Sequence, residues 1–130
     1  MDLQRPAADG ERRSDDSLTA ALTNAVIGVM KEYVGRGPTK GRAYVRDDVV
    51  VVILGETLTK AERTLVRDGK AERVLAVRQD FQRTMRDALV EEVERLTGRT
   101  VIAFMSDNHI EPELACEIFL LEPTRGKAPG

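Results

Sequence analysis

Apolar residues recur at helical spacing in the first third of the chain and give one apolar face. This pattern predicts an amphipathic helix from about Ser17 to Val34. Gly35 is placed to end it, because glycine tolerates a left-handed C-terminal conformation, and Pro38 prevents its resumption. The predicted apolar face consists of Leu18, Leu22, Ala25, Val26, Val29 and Tyr33.

The pattern then changes to alternation, which is typical of strands. Residues 42–46 place Arg42, Tyr44 and Arg46 on one face, and Asp47-Asp48 is a plausible tight turn. The following run, 49–54, is apolar on both faces, so it needs cover on both sides from helices or from another subunit. For this reason we expect a homodimer.

Two more helices are predicted after this hairpin. Thr59 and Glu62 have the spacing of a capping box, which predicts a short helix ending near Arg67. A long helix is expected over 71–97, closed by Gly98. Its predicted apolar stripe consists of Val74, Val77, Phe81, Met85, Ala88, Leu89, Val93 and Leu96.

Residues 100–106 and 114–121 read as two further strands, joined by a loop over 107–113. The expected fold class is α+β, a single domain with the order α-β-β-α-α-β-β and a four-stranded antiparallel sheet packed by helices on one face. The polar residues 1–15 predict a disordered N-terminal arm. Residues 16–122 form the predicted domain, and 123–130 a flexible tail.

Composition narrows the functional classes. The net charge of −2 provides no broad basic footprint, so nucleic acid is disfavoured as a partner. Cys116 is the one cysteine, which excludes an internal disulfide and suggests a reducing compartment and a buried structural thiol. The sequence contains neither a signal peptide nor an apolar run approaching the ~20 residues of a transmembrane segment. We therefore expect a cytoplasmic protein.

The main candidate site is a cationic loop and strand. Arg36, Lys40, Arg42, Tyr44 and Arg46 follow the helix within a segment broken by glycine and proline. Glycines beside cations can expose backbone N–H groups to an anion, so these residues are candidates for binding an anion or an acidic partner. The alternative is a solvated strand face balanced by the two aspartates of the turn. The glycine spacing differs from that of a P-loop.

The single histidine, His109, lies near Asp107 and Glu111, and this combination can hold a metal or move a proton. A polar loop is the favoured explanation, because a structural metal site normally has more ligands at diagnostic spacing. No nucleophile stands beside a base with credible placement. We therefore expect no catalytic residues, no metal and no cofactor, with a small enzyme using His109 as the minor alternative.

Several segments resemble the MpsC-like family of small bacterial proteins. The resemblance covers roughly 18–121 and is clearest at 31–38, which contains Gly-Arg-Gly-Pro, and at 42–48, with further matches at 58–62 and 101–107. It implies a soluble accessory protein of a Na+-translocating, membrane-potential-generating system. Since the sequence also offers no catalytic set, we expect a non-enzymatic accessory or regulatory protein. The implied partners are membrane transport subunits, and the resemblance brings no catalytic residues.

An RNA-binding module is the alternative function. The element order resembles one arrangement of KH domains, whose Gly-x-x-Gly loop between two helices clamps a nucleic-acid backbone. The corresponding junction here, 67–70, contains only Gly69.

Overall fold

The computed structural model describes residues 9–124, with side chains from residue 16 onward. The predicted α+β class and the order α-β-β-α-α-β-β are confirmed. The helices are α1 (Asp9–Val34), α2 (Lys60–Arg67) and α3 (Ala71–Thr97). The strands are β1 (Lys40–Arg46), β2 (Val49–Gly55), β3 (Val101–His109) and β4 (Leu114–Leu121).

Helix α1 begins at Asp9, before the predicted start at Ser17. Residues 9–15, which the sequence suggested would belong to a disordered arm, are therefore helical. No proline or glycine follows Gly10 within this stretch, so a helix nucleated on its apolar face can extend toward the N-terminus. The rest of the predicted arm, 1–8, and residues 125–130 of the predicted tail lie outside the described chain.

The four strands form one antiparallel sheet in the order β1-β2-β4-β3. Asp47 adopts a positive φ of 51°, which allows the tight turn between β1 and β2. Strand β3 is longer than predicted, since His109 still pairs with Leu114. The expected loop over 107–113 is therefore wrong: cross-strand pairing continues into it and leaves only a turn at 110–113.

Helices α1 and α3 cover one face of the sheet. The core joins Leu22 and Val26 of α1, Leu89 and Val93 of α3, and inward residues of β2 and β4 such as Phe119, all fully buried. This arrangement satisfies the requirement for helical cover on one side of β2.

Gly41 sets how closely β1 approaches α1. A Cβ placed there would lie 2.7 Å from Cγ2 of Thr23 and 3.1 Å from Cδ1 of Ile27. Thr23 is held in place because its hydroxyl donates to the Thr19 carbonyl at 2.8 Å. The absent side chain therefore permits the contact that seats the first strand under the helix.

The predicted apolar stripe of α3 is wrong at two positions. Val77 and Phe81 are 48% and 37% exposed, whereas Gln82 is buried. The guanidinium of Arg78 pairs with Glu62 at 2.8 Å and also donates to the Thr57 carbonyl. Where α3 packs against α2, Arg78 and Gln82 therefore point inward. Val77 and Phe81 precede them by one residue each and point toward solvent.

Candidate protein-contact face

Every second residue of the sheet points away from α1 and α3, because side chains alternate along a strand. We call this side of the sheet the open face, since no segment within residues 9–124 buries it. Its apolar centre lies on β2 and β4, and each member is only partly buried. The apolar centre consists of Val49, Val51, Ile53, Cys116, Ile118 and Leu120.

The burial of β2 differs sharply between its two faces. Val50, Val52 and Leu54 are fully buried, so the alternate positions of β2 mark the boundary between core and open face. Exposed contiguous apolar surface on a small protein typically marks an interaction site. The need for cover on the second face of β2, inferred from its sequence, therefore remains unmet within this part of the chain.

Strand β1 forms a cationic margin along one edge of the open face. Lys40, Arg42, Tyr44 and Arg46 alternate along it and are all exposed, with Tyr44 at 51%. The pairing register places the last three beside Ile53, Val51 and Val49. Four of the five predicted site residues therefore share one surface with the apolar centre.

Arg36 lies apart from this group. Its Nη1 donates to the Leu58 carbonyl at 3.0 Å and to the Glu56 carbonyl at 3.3 Å. These bonds join the loop after α1 to the loop before α2. The arginine of the Gly-Arg-Gly-Pro segment therefore serves the fold rather than the open face.

Strand β3 forms the opposite margin, with Ala103, Met105, Asp107 and His109 at the outward positions. Met105 is 51% exposed. His109 lies at the end of the strand, where its Nδ1 is 2.8 Å from the Pro112 carbonyl oxygen. Within residues 9–124, no three side chains of the histidine, cysteine, aspartate or glutamate type are grouped to hold a metal.

Cys116 belongs to the apolar centre and is only partly buried, so the predicted buried thiol is wrong in its location. Burial, together with the nearby negative charges of Glu117 and Asp107, raises the pKa of this thiol above its usual value. The raised pKa disfavours the thiolate, which is the nucleophilic form. Cys116 contributes apolar surface to the open face.

Glu117 is a buried carboxyl that the sequence interpretation missed. It is fully buried on the helix-covered face of β4, where Ser106 donates a hydrogen bond to it and its other oxygen has no partner. Burial raises its pKa to about 7, partly offset by Ser106 and Arg78. The sequence of β4 contained a signal for this burial. Residues 115, 117, 119 and 121 alternate onto the helix-covered face, so Glu117 falls among core residues.

Two charged contacts fix the ends of the sheet that carries the open face. Arg99 pairs with Asp48 at 2.6 Å and also donates to the Glu122 carbonyl at 2.8 Å. At the other end, Arg63 of α2 pairs at 2.7 Å with Glu113, which lies in the turn between β3 and β4. The hydrogen bond from Arg63 holds the pKa of Glu113 below its usual value. These contacts stabilise both ends of the sheet on which the open face lies.

The sequence model of the MpsC family matches residues 14–123, and its description is "Na+-translocating membrane potential-generating system". The chain belongs to the MpsC family. The match runs from within α1 to just beyond β4, so it includes the whole sheet and both of its faces. No curated protein and no solved structure matches the chain.

Further findings bear on the other sequence-based interpretations of this MpsC-family chain. No helix within residues 9–124 has both the length and the apolarity to cross a membrane. At the junction of α2 and α3, Lys70 pairs with Asp68, and Gly69 adopts a φ of 77°. The RNA-binding alternative, which depends on that junction, stays a prediction.

Proposed function

We propose that this MpsC-family chain is a non-enzymatic, cytoplasmic accessory protein that works through protein contacts made by its open face. The observation that carries the proposal is the apolar centre flanked by the cationic margin of β1. Protein interfaces typically combine an apolar core with a polar rim, and arginine and tyrosine are enriched in them. Arg42, Tyr44 and Arg46 provide those side chains beside partly exposed valines and isoleucines.

The chemistry of the remaining polar groups supports a binding role. The pKa of the Cys116 thiol is raised, Glu117 is sealed in the core, and His109 contacts a turn carbonyl. None of these groups has the pairing of nucleophile and oriented base that covalent catalysis uses.

The description of the family supports a membrane-bound partner, namely subunits of a Na+-translocating system that generates membrane potential. A cationic margin suits an acidic segment of such a subunit, because complementary charges steer association and fix orientation. In this role the chain docks on membrane subunits from the aqueous side.

The test is an affinity pull-down from detergent-solubilised membranes of the native host. The bait is wild type or a Lys40→Glu/Arg46→Glu variant, which reverses both ends of the cationic margin. The matched control is Arg83→Glu/Arg86→Glu, since these exposed arginines lie on α3, away from the open face.

We expect wild type and control to recover Na+-translocating membrane subunits and the margin variant to lose them. Equal recovery by the margin variant would contradict the role of the margin. Recovery of only RNA or soluble enzymes by wild type would contradict the accessory role itself.

A further inference from the structure

The pairing register of the open face arranges its side chains in rows that cross all four strands. One row runs Arg42, Ile53, Cys116, Asp107, because each residue pairs with the next across neighbouring strands. The next row runs Tyr44, Val51, Ile118, Met105. Each row thus has a different kind of side chain at its two ends, with apolar residues between them.

We propose that the open face binds a second copy of this chain, stacked so that β1 of each copy lies over β3 of the other. This inference deepens the proposed contact role of the open face and rests on it. In this arrangement a two-fold axis runs parallel to the strands. Packed sheets commonly keep their strands aligned to within about 30°.

Charge decides between the two ways of stacking the face on itself. With the axis parallel to the strands, Arg42 faces Asp107 of the second copy, and the reciprocal contact forms a second time. With the axis between the sheets but perpendicular to the strands, β1 lies over β1 of the second copy. The cations Lys40, Arg42 and Arg46 then face the same cations of the other chain. Like charges placed together across an interface cost several kcal/mol, which favours the first arrangement.

Two of the other three rows agree with the same arrangement, and the fourth places Lys40 over His109 at the end of the face. Tyr44 faces Met105 of the second copy, and thioether–aromatic contacts are favourable. Val51 faces Ile118, so the apolar centre covers itself. Arg46 faces the small Ala103, and its charge stays at the rim, available to an acidic segment of a membrane subunit.

The size of the face sets the expected strength. Four strands spaced ~4.8 Å apart and side-chain rows repeating every ~6.8 Å outline roughly 500 Å² on each copy. Interfaces of this size lie at the lower end of specific association. We therefore expect a reversible dimer with a dissociation constant on the order of micromolar.

The test is a charge-swap experiment on purified protein by sedimentation equilibrium. Arg42→Asp alone and Asp107→Arg alone each place like charges opposite one another twice, so each should weaken the dimer by at least about tenfold. An equimolar mixture of the two variants should regain wild-type association, because the mixed dimer restores both opposite-charge pairs. Arg83→Asp on α3 is the matched control, and thermal unfolding checks that each variant is folded.

Residues 42 and 107 lie on opposite edges of one sheet, roughly 14 Å apart, so recovery in the mixture cannot arise within one chain. Wild type that stays monomeric at millimolar concentration would overturn the inference. So would a dimer indifferent to both swaps, or a mixture that fails to recover.

These outcomes are independent of the membrane pull-down. A charge-dependent dimer without recovery of membrane subunits would support the inference and contradict the accessory role. A monomer that still recovers those subunits would contradict the inferred dimer and support the accessory role.

Discussion

Arg36 donates from Nη1 to the carbonyl oxygen of Leu58 at 3.0 Å and thereby ties the loop after α1 to the loop before α2. The sequence presents Arg36 as the first cation of a cluster that extends to Arg46. In the folded chain it is a structural brace, and the cations of β1 are displayed on a different surface.

Arg36→Ala should therefore lower stability and leave the open face intact. Loss of two hydrogen bonds from a charged donor in an exposed loop predicts about 1 kcal/mol lower free energy of unfolding in urea. Arg42→Ala is the matched control, and we expect it to change stability much less, since Arg42 lies on an exposed strand margin. Equal stability of Arg36→Ala and wild type would contradict the brace.

Gly41 should resist substitution, whereas Gly28 should accept it. Gly41→Ala places a methyl group 2.7 Å from Thr23 and should destabilise by about 1–3 kcal/mol. Gly28→Ala adds its methyl group to open space within α1 and should stabilise by up to about 1 kcal/mol. The free energy of unfolding of both variants is measured in urea. A shift in the same direction for the two variants would contradict the close packing of β1 against α1.

Glu117 should make the protein less stable as the pH rises. Its folded-state pKa of about 7 lies above the ordinary value of 4.5. The folded chain thus holds a proton that the unfolded chain releases, and stability falls between about pH 4.5 and 7 and then levels off. The shift corresponds to about 3 kcal/mol.

Glu117→Gln removes this titration while keeping the shape of the side chain. The free energies of unfolding of wild type and Glu117→Gln are measured at pH 5 and pH 8. From pH 5 to pH 8 the wild type should lose more stability than the variant. Parallel values at the two pH values would contradict a buried carboxyl that takes up a proton on folding.

Glu113 should give the opposite dependence. Its hydrogen bond to Arg63 lowers its folded-state pKa, so the stabilisation is present above about pH 4.5 and is lost as the pH falls through that lower folded pKa. Wild type should lose thermal stability more steeply than Glu113→Gln in acid, as followed by circular dichroism from pH 6 to pH 2.5. A variant with the same acid profile as wild type would show that the ion pair does not contribute.

Local signals predicted most of the elements. The capping box at Thr59 and Glu62 is present, α3 spans the predicted 71–97, and Gly98 closes it with a φ of 68°. Capping and glycine conformation depend on a few neighbouring residues, so the sequence is sufficient for them. The errors occur where distant segments compete, as at Val77 and Phe81, which the Arg78–Glu62 pair displaces from the core.

The candidate site was predicted in composition but not in arrangement. The alternation of Arg42, Tyr44 and Arg46 predicted a shared face, and the register of β1 and β2 places them beside the apolar centre. The sequence did not separate Arg36 from them, because its hydrogen-bond partners lie about twenty residues further along the chain. Glu117 was missed because a single carboxyl in an apolar run shows its burial only once the inward register of β4 is known.

The sequence by itself determined the helices, the strands, their order and the apolar character of both faces of β2, because periodicity and capping are properties of neighbouring residues. The alternation along the strands also predicted helices on one face of the sheet, and the structure confirms it. Only the tertiary structure decided which residues make up the face that α1 and α3 leave open. It alone brought Arg42 and Asp107 to opposite ends of one row of side chains. The row depends on the pairing of β2 with β4, which joins residues as far apart in the chain as Ile53 and Cys116. Turn geometry fixes the register of a hairpin, but it does not say which hairpins lie side by side in the sheet.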